Sequence, residues 1–301
     1  MKNSAYLLLL VTLFFSAAEA FAQNCPREVV YRREIRNQPL SDWNRFVDAV
    51  KKLHSMPGKD GGSRYDEMAK IHTDYFDQVH GNAMYFPFNR AYLLEFEREL
   101  QKIDPAVVLP YWNWSVDIQA LERSPIFYPE YMGGNDELDG LLVMGRLGKW
   151  MVSHPEPHRI RRKFNNGTKI SGFNIFFQIG PDVSAPYLNE MGEIFRTSVS
   201  YDAFRRNIEF GPAGGVHEGI GGDMSMKWAA NDPIFWVHMV FVDKLWADWQ
   251  RLNPDRLKVG VFNGGYGGTN MNPDTVILGL KSSYKVSGVL DTRNLCYDYL
   301  P

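Results

Sequence analysis

The chain has 301 residues, and its 33 Lys+Arg against 35 Asp+Glu leave a formal net charge of −2 at pH 7. That balance argues against nucleic acid or an anionic membrane surface as partner. With 45% hydrophobic and 14% aromatic residues, and no linker, repeat or low-complexity tract, the composition suits one large core.

The predicted elements begin with a segment outside the fold. Met1-Lys2 is a short basic start, Tyr6 to Phe15 is an apolar run, and Ala20-Phe21-Ala22 is a small-x-small cleavage signal. Residues 1–22 therefore read as a secretory signal peptide, too short for a membrane span, and residues 23–301 as a single secreted domain. The two cysteines, Cys25 and Cys296, stand near opposite ends, and in an exported protein a disulfide between them is the default expectation.

Ser41 is a candidate N-cap for a helix with Trp43, Phe46, Val47, Val50 and Leu53 at helical spacing. After a turn-rich loop, "RYDEMAKIH" predicts a short helix ending near His72. Asn89 to Ile103 predicts a second amphipathic helix, stopped by Asp104-Pro105. Asp117 to Ser200 lacks lasting periodicity and reads as long loops with short helices; Asn166-Gly167-Thr168 within it is a glycosylation sequon. A further helix starts at Ser200. The last is introduced by Asp232-Pro233 and carries Phe235, Val242, Leu245, Trp246 and Trp249 on one face. The expected fold class is mainly α, a helical-bundle core wrapped by long loops with a few short strands. Loops this long in a compact domain are commonly functional or pinned.

Seven histidines are available: His54, His72, His80, His154, His158, His217 and His238. A metal site would need imidazoles brought together from separate helices. His72 and His80 flank an expected turn. His54 reads as structural, and His154 and His158 as parts of an exposed Pro-rich loop.

The longer motifs carry a resemblance. "HGNAMYFPFNRAYLLEFEREL" with "LPYWNWS" resembles the first copper-binding half of the tyrosinase, catechol oxidase and molluscan haemocyanin superfamily, and "NDPIFWVHMVFVDKLWADWQ" resembles the second. "VSGVLDTRNLCYDYL" is similar to the tyrosine-containing strand that closes the catalytic domain there, so no C-terminal lid domain is expected. The resemblance covers essentially all of residues 23–301 and implies a type 3 copper fold.

In that family two copper ions, each held by three histidines, bind dioxygen between them. The resemblance places the first copper's ligands at His72, His80 and position 89, which is Asn89. It places the second copper's at position 213, which is Ala213, at His217, and at position 239, which is Met239. Ala213 has no donor, an amide oxygen matches Cu(I) poorly, and a thioether holds Cu(I) but binds Cu(II) weakly. His238 cannot replace Met239 directly, because one residue along a helix turns the side chain by about 100°. Its ring is expected beside the site, with Arg90 and Asp243 pairing across facing helices. Glu209 and Glu218 are nearby carboxylates able to join a metal site, and on number alone they read as ordinary surface or capping charges.

The expectation is a secreted tyrosinase-like protein with a degenerate dinuclear site and no ordinary phenol oxidase activity. It leaves room for one copper or zinc ion, on His72 and His80 with Asn89 or His217, and for a small phenolic or a protein as partner. The contrasting expectation is an active copper-dependent oxidoreductase acting on o-diphenols.

Overall fold

The computed structural model describes residues 25, 28–59, 61–135, 139–142, 144–164, 169–170, 177–178, 186–257, 262–267 and 269–300. The signal-peptide segment and the Asn166 sequon lie outside the described residues. Seven α-helices are described: α1 (Leu40–Ser55), α2 (Arg64–Val79), α3 (Tyr85–Gln101), α4 (Pro186–Thr197), α5 (Tyr201–Ile208), α6 (Gly214–Ile220) and α7 (Ile234–Arg251). The strands described are two or three residues long and form two-stranded pairs. A mainly α domain with long irregular connections is what the periodicity predicts.

Several boundaries differ, each for a local reason. In α1 the buried face is the predicted one, but Ser41 is not the cap. Pro39 ends the incoming chain, and its carbonyl accepts from Asp42 N and Trp43 N, so Ser41 already lies in the first turn. Ser63 caps α2 through a reciprocal capping box with Asp66. The helix then runs past His72 to Val79, because Ile71 and Tyr75 pack on the core and Val79 is buried. His72 and His80 are therefore not separated by a turn; one lies within the helix and the other at its C-cap. Helix α3 starts at Tyr85, four residues before Asn89, since Pro87 falls where its missing N–H costs nothing.

Helices α3 and α7 form the centre of the bundle. The rings of Phe96 and Trp236 stack with centroids 3.6 Å apart and an interplanar angle of 6°. Arg90 Nε donates to Asp243 Oδ1 at 2.6 Å, the expected pairing, with both side chains buried. The hydroxyls of Tyr297 and Tyr299 each donate to Asp243 Oδ2 at 2.6 Å. Those tyrosines stand on the C-terminal strand Tyr297–Tyr299, which pairs in parallel with Val30–Arg32. The Cys25–Cys296 disulfide closes the same end, linking residues 271 positions apart.

Among the described residues, the loops that follow α3 are tied to the start of α7. Arg162, fully buried, makes a two-pronged contact with Asp232 at 2.7 and 2.8 Å. Asp232 Oδ1 also accepts from Ile234 N, the first residue of α7, at 3.1 Å, so one carboxylate holds both the start of that helix and the loops.

Candidate metal centre

Three elements converge on one side of the bundle: α2 with its C-cap, the α5–α6 junction, and the segment that follows α6. His72 projects from α2, and its Nδ1 lies 2.8 Å from the Lys227 carbonyl oxygen. His217 projects from α6 with Nδ1 2.6 Å from the Met224 carbonyl oxygen. A carbonyl only accepts, so each Nδ1 carries the proton. Burial, and then the neighbouring His80, hold His72 well below the usual imidazole range. Burial brings His217 down to about 4. Both rings are neutral at pH 7, and each keeps its lone pair on Nε2.

His80 meets this arrangement head-on. Its Nε2 lies 3.2 Å from Nε2 of His72, with the two ring planes 85° apart. Phe76 stacks on His80 at 4.1 Å between centroids and fixes the ring plane. On the far side, His80 Nδ1 is 3.2 Å from Glu209 Oε1. Glu209 is buried, contrary to the sequence expectation of a surface or capping charge. It begins the π-helical turn Glu209–Ala213 between α5 and α6, accepts from Gly81 N at 2.7 Å, and takes a 2.7 Å ion pair from Arg205.

The three imidazoles line a cavity of about 630 Å³ whose walls include Phe76, Tyr85, Phe210, Met224, Met226 and Trp228. Glu209 and Glu218 contribute carboxylates, and Glu218 is exposed. An apolar cleft with a few convergent polar groups is the usual form of a small-molecule site.

Asn89, Ala213 and Met239 are all buried, and none is among the cavity-lining residues. Asn89 Nδ2 donates to the Tyr85 carbonyl at 2.8 Å, while its Oδ1 has no partner among the described residues. His238 is fully buried behind His217, ring perpendicular, with centroids 4.6 Å apart. It is not among the cavity-lining residues. Burial, and then His217, push His238 well below its ordinary value, and neither ring nitrogen has a hydrogen-bond partner among the described residues.

Two expectations need correction. Among the described residues no three His, Cys, Asp or Glu side chains come together closely enough to hold one ion. The set His72, His80 and His217 is thus not gathered into a single cluster; only His72 and His80 meet. His72 and His217 both lie against the ring of Phe235, at 4.8 and 6.1 Å between centroids. His158, expected in an exposed loop, is half-buried and sits 2.7 Å from Asp223 Oδ1. His54, as expected, is structural: it stacks on Trp150 at 3.9 Å and bonds the Met151 carbonyl.

With this geometry in view, the comparisons with known proteins agree closely. The family model for the common central domain of tyrosinase matches residues 62–252. A tyrosinase of Streptomyces glaucescens is 34% identical over 229 residues, covering 70% of this chain and 78% of its own. Tyrosinase ustQ of Aspergillus flavus is 31% identical over 284 residues, covering 89% and 78%. Among solved structures, a polyphenol oxidase mutant from Thermothelomyces thermophila superposes with a TM-score of 0.70 at 22% identity, over 96% of this chain and 93% of that one. An octopus haemocyanin functional unit gives 0.62 at 16% identity, over 90% and 68%. Among the described residues no helix is long and apolar enough to cross a membrane. The matched central domain, these relatives and the shared helical core place the chain in the tyrosinase family of the type 3 copper superfamily.

Proposed function

We propose that this chain is a secreted tyrosinase-fold protein that does not assemble a dinuclear copper centre. It holds at most one copper or zinc ion, on His72 and His80, at the edge of the aromatic cavity. The observation that carries this reading is the 3.2 Å approach of the two Nε2 atoms. His72 Nε2 bears a lone pair because its Nδ1–H is committed to the Lys227 carbonyl. His80 brings its own Nε2 to the same space, 3.2 Å away. At that distance the two nitrogens share either a proton, as a hydrogen bond, or a metal ion. Two imidazoles on one tetrahedral zinc ion at about 2.0–2.1 Å have nitrogens about 3.3 Å apart, close to the spacing here.

The donors do not fit a second ion. The resemblance assigns its ligands to Ala213, His217 and Met239, which leaves one imidazole, and Asn89 takes a third imidazole from the first half. A single ion lacks the redox partner that two-electron reduction of dioxygen requires. Ordinary phenol oxidation is therefore not expected, and no catalytic step is assigned to copper. The cavity volume and its aromatic walls suit a small phenolic ligand or an apolar side chain of a protein partner. Secretion rests on residues 1–22 and on the Cys25–Cys296 disulfide, which belongs to an oxidising compartment. In a glycosylating host, Asn166 is the modification site this reading expects.

The test is metal content per chain after loading with copper and, separately, with zinc, alongside o-diphenol oxidation. One ion or none, without oxidation, is expected. Two coppers with o-diphenol turnover would refute the proposal and establish the competing reading, an active copper-dependent oxidoreductase like the named relatives. The combined replacement Asn89→His, Ala213→His and Met239→His should restore uptake of two coppers; a folded triple variant that does not take them up would refute the ligand placement.

A further inference from the structure

We infer that His158 is a pH-sensitive latch on the cavity wall: as an imidazolium it clamps Asp223, and with it residues 222–228, against the loops that follow α3, and on losing its proton it lets that wall go. That the wall matters to an occupant rests on the proposed reading of the cavity as a small-molecule site; the charge on His158 and the release of the wall do not.

The charge follows from hydrogen-bond chemistry. His158 Nδ1 lies 2.7 Å from the Glu156 carbonyl oxygen, and its Nε2 lies 2.7 Å from Asp223 Oδ1. A carbonyl and a carboxylate only accept, so both ring nitrogens donate, and only the imidazolium has two N–H groups. A neutral ring has to give up one of the two bonds. Burial works against the charge, but the Glu156 carbonyl and then the Asp223 carboxylate outweigh it and raise the ring above the ordinary imidazole range. The charged groups acting on it are acidic on both sides, Asp223 from the turn after α6 and Glu156 from its own loop. The strand that pairs with it, Met151–Val152, brings no charge.

Asp223 stands where a grip has leverage. It is buried in the short turn Gly222–Ser225 directly after α6. Its Oδ2 accepts from Arg161 N at 2.8 Å, and its own N–H donates to the Arg161 carbonyl at 2.9 Å. Gly221 and Gly222 run so close to the same stretch that a Cβ on either would come within 2.2 Å of the Lys163 and Arg161 carbonyl oxygens. Immediately beyond, Met224, Ser225, Met226, Lys227 and Trp228 line one side of the cavity. The carbonyls that take Nδ1 of His217 and His72 belong to Met224 and Lys227 of this same segment. Its far end is tied to α2 by the exposed ion pair of Lys227 with Asp77 at 2.7 Å, which solvent screens. His158 supplies the charge that fixes the near end.

The sign of the shift sets the direction with pH. The folded ring holds its proton more tightly than a free imidazole at about 6.5, so the latch is fully closed below that pH. It opens as pH rises through the raised value. His72 and His217, pushed downwards, are already neutral over that window and take no part. The cavity is thus firm-walled in mild acid and slack-walled in mild alkali.

Two measurements test the inference. Long-range 1H–15N correlation at pH 6 should show protons on both nitrogens of His158; a single neutral tautomer there would overturn it. Amide hydrogen exchange, corrected for the intrinsic effect of pH, should show protection of residues 222–228 falling by about 3–10-fold from pH 6 to pH 8.5, while α3 and α7 keep theirs. Equal protection of that segment at both pH values would overturn the inference. In His158→Gln, whose amide can still donate one bond to Asp223, the segment should exchange at pH 6 as the wild type does at pH 8.5. A folded variant that keeps the wild-type pH response would assign that response to another group and overturn the latch. Should the variant not fold, the two wild-type measurements decide. Neither uses a ligand, so failure of the cavity to bind a small molecule would count against the reading of the cavity, while exchange still decides the role of His158.

Discussion

Replacing Asp243 with Asn removes the charge that ties the two central helices together. Asp243 receives Arg90 Nε at 2.6 Å and the hydroxyls of Tyr297 and Tyr299 at 2.6 Å, with Arg32 Nη1 at 3.6 Å. Burial alone would raise its pKa, but Arg90, Arg32 and the two hydroxyls outweigh it and hold the carboxyl below its usual range. Removing one partner of a buried ion pair typically costs about 3–5 kcal/mol, because the remaining charge is stranded in a poorly polarisable interior. Here Arg90 keeps the carbonyls of Val289 and Leu290 and the amide oxygen of Gln250, and Arg32 keeps Glu97. These contacts place the expected loss at the low end, about 3 kcal/mol. For a chain of this size that corresponds to a fall in Tm of roughly 6–12 °C. Urea unfolding under non-reducing conditions, followed by tryptophan fluorescence, reads it directly. A loss below about 1 kcal/mol with an unchanged m value would refute the reasoning, since it would mean that the pair merely breaks even with an uncharged amide. Arg90 follows Asn89 on α3, and Asp243 stands one turn after Met239 on α7. The variant therefore also asks how far the packing of these positions depends on the ion pair.

Acid should destabilise the metal-free protein between pH 6.5 and 4. His217 titrates at about 4 in the fold, against about 6.5 for a free imidazole, so over that window only the unfolded chain takes up the proton. That group alone should lower the unfolding free energy by about 2 kcal/mol from pH 7 to 5, with His72 and His238 acting in the same direction. Urea titrations at pH 7, 6 and 5 check this, and a flat profile would contradict it. Cys25→Ser, or reduction of the disulfide, releases a closed segment in which the bonded cysteines are 271 positions apart. The chain-entropy estimate for so long a loop is on the order of 5 kcal/mol, and measured losses for native disulfides run at about 2–5 kcal/mol. Equal unfolding curves for oxidised and reduced protein would show that the bridge constrains little.

The helical class, the main amphipathic helices and the family were legible in the residues, because helical periodicity and long motifs are properties of neighbouring positions. The face of α1 carrying Trp43, Phe46, Val47, Val50 and Leu53 is buried as its spacing requires. The Arg90–Asp243 pair was also legible, since two charges on apolar helices have few ways to be buried except together. Element ends were less legible. The extension of α2 past His72 depends on Ile71, Tyr75 and Val79 finding the core, and the early start of α3 depends on tolerance of Pro87 in a first turn.

The identities at positions 89, 213 and 239 are determined by the sequence alone, and with them the types of donor the chain can offer. What those donors do was decided by the tertiary structure. It brought His72 against His80, left His217 outside that pair, turned His238 behind His217, and buried Glu209 beneath the end of α2. No local pattern encodes these outcomes. The His72 ring takes its direction from the Lys227 carbonyl, 155 positions along the chain, and only the packed bundle places that acceptor.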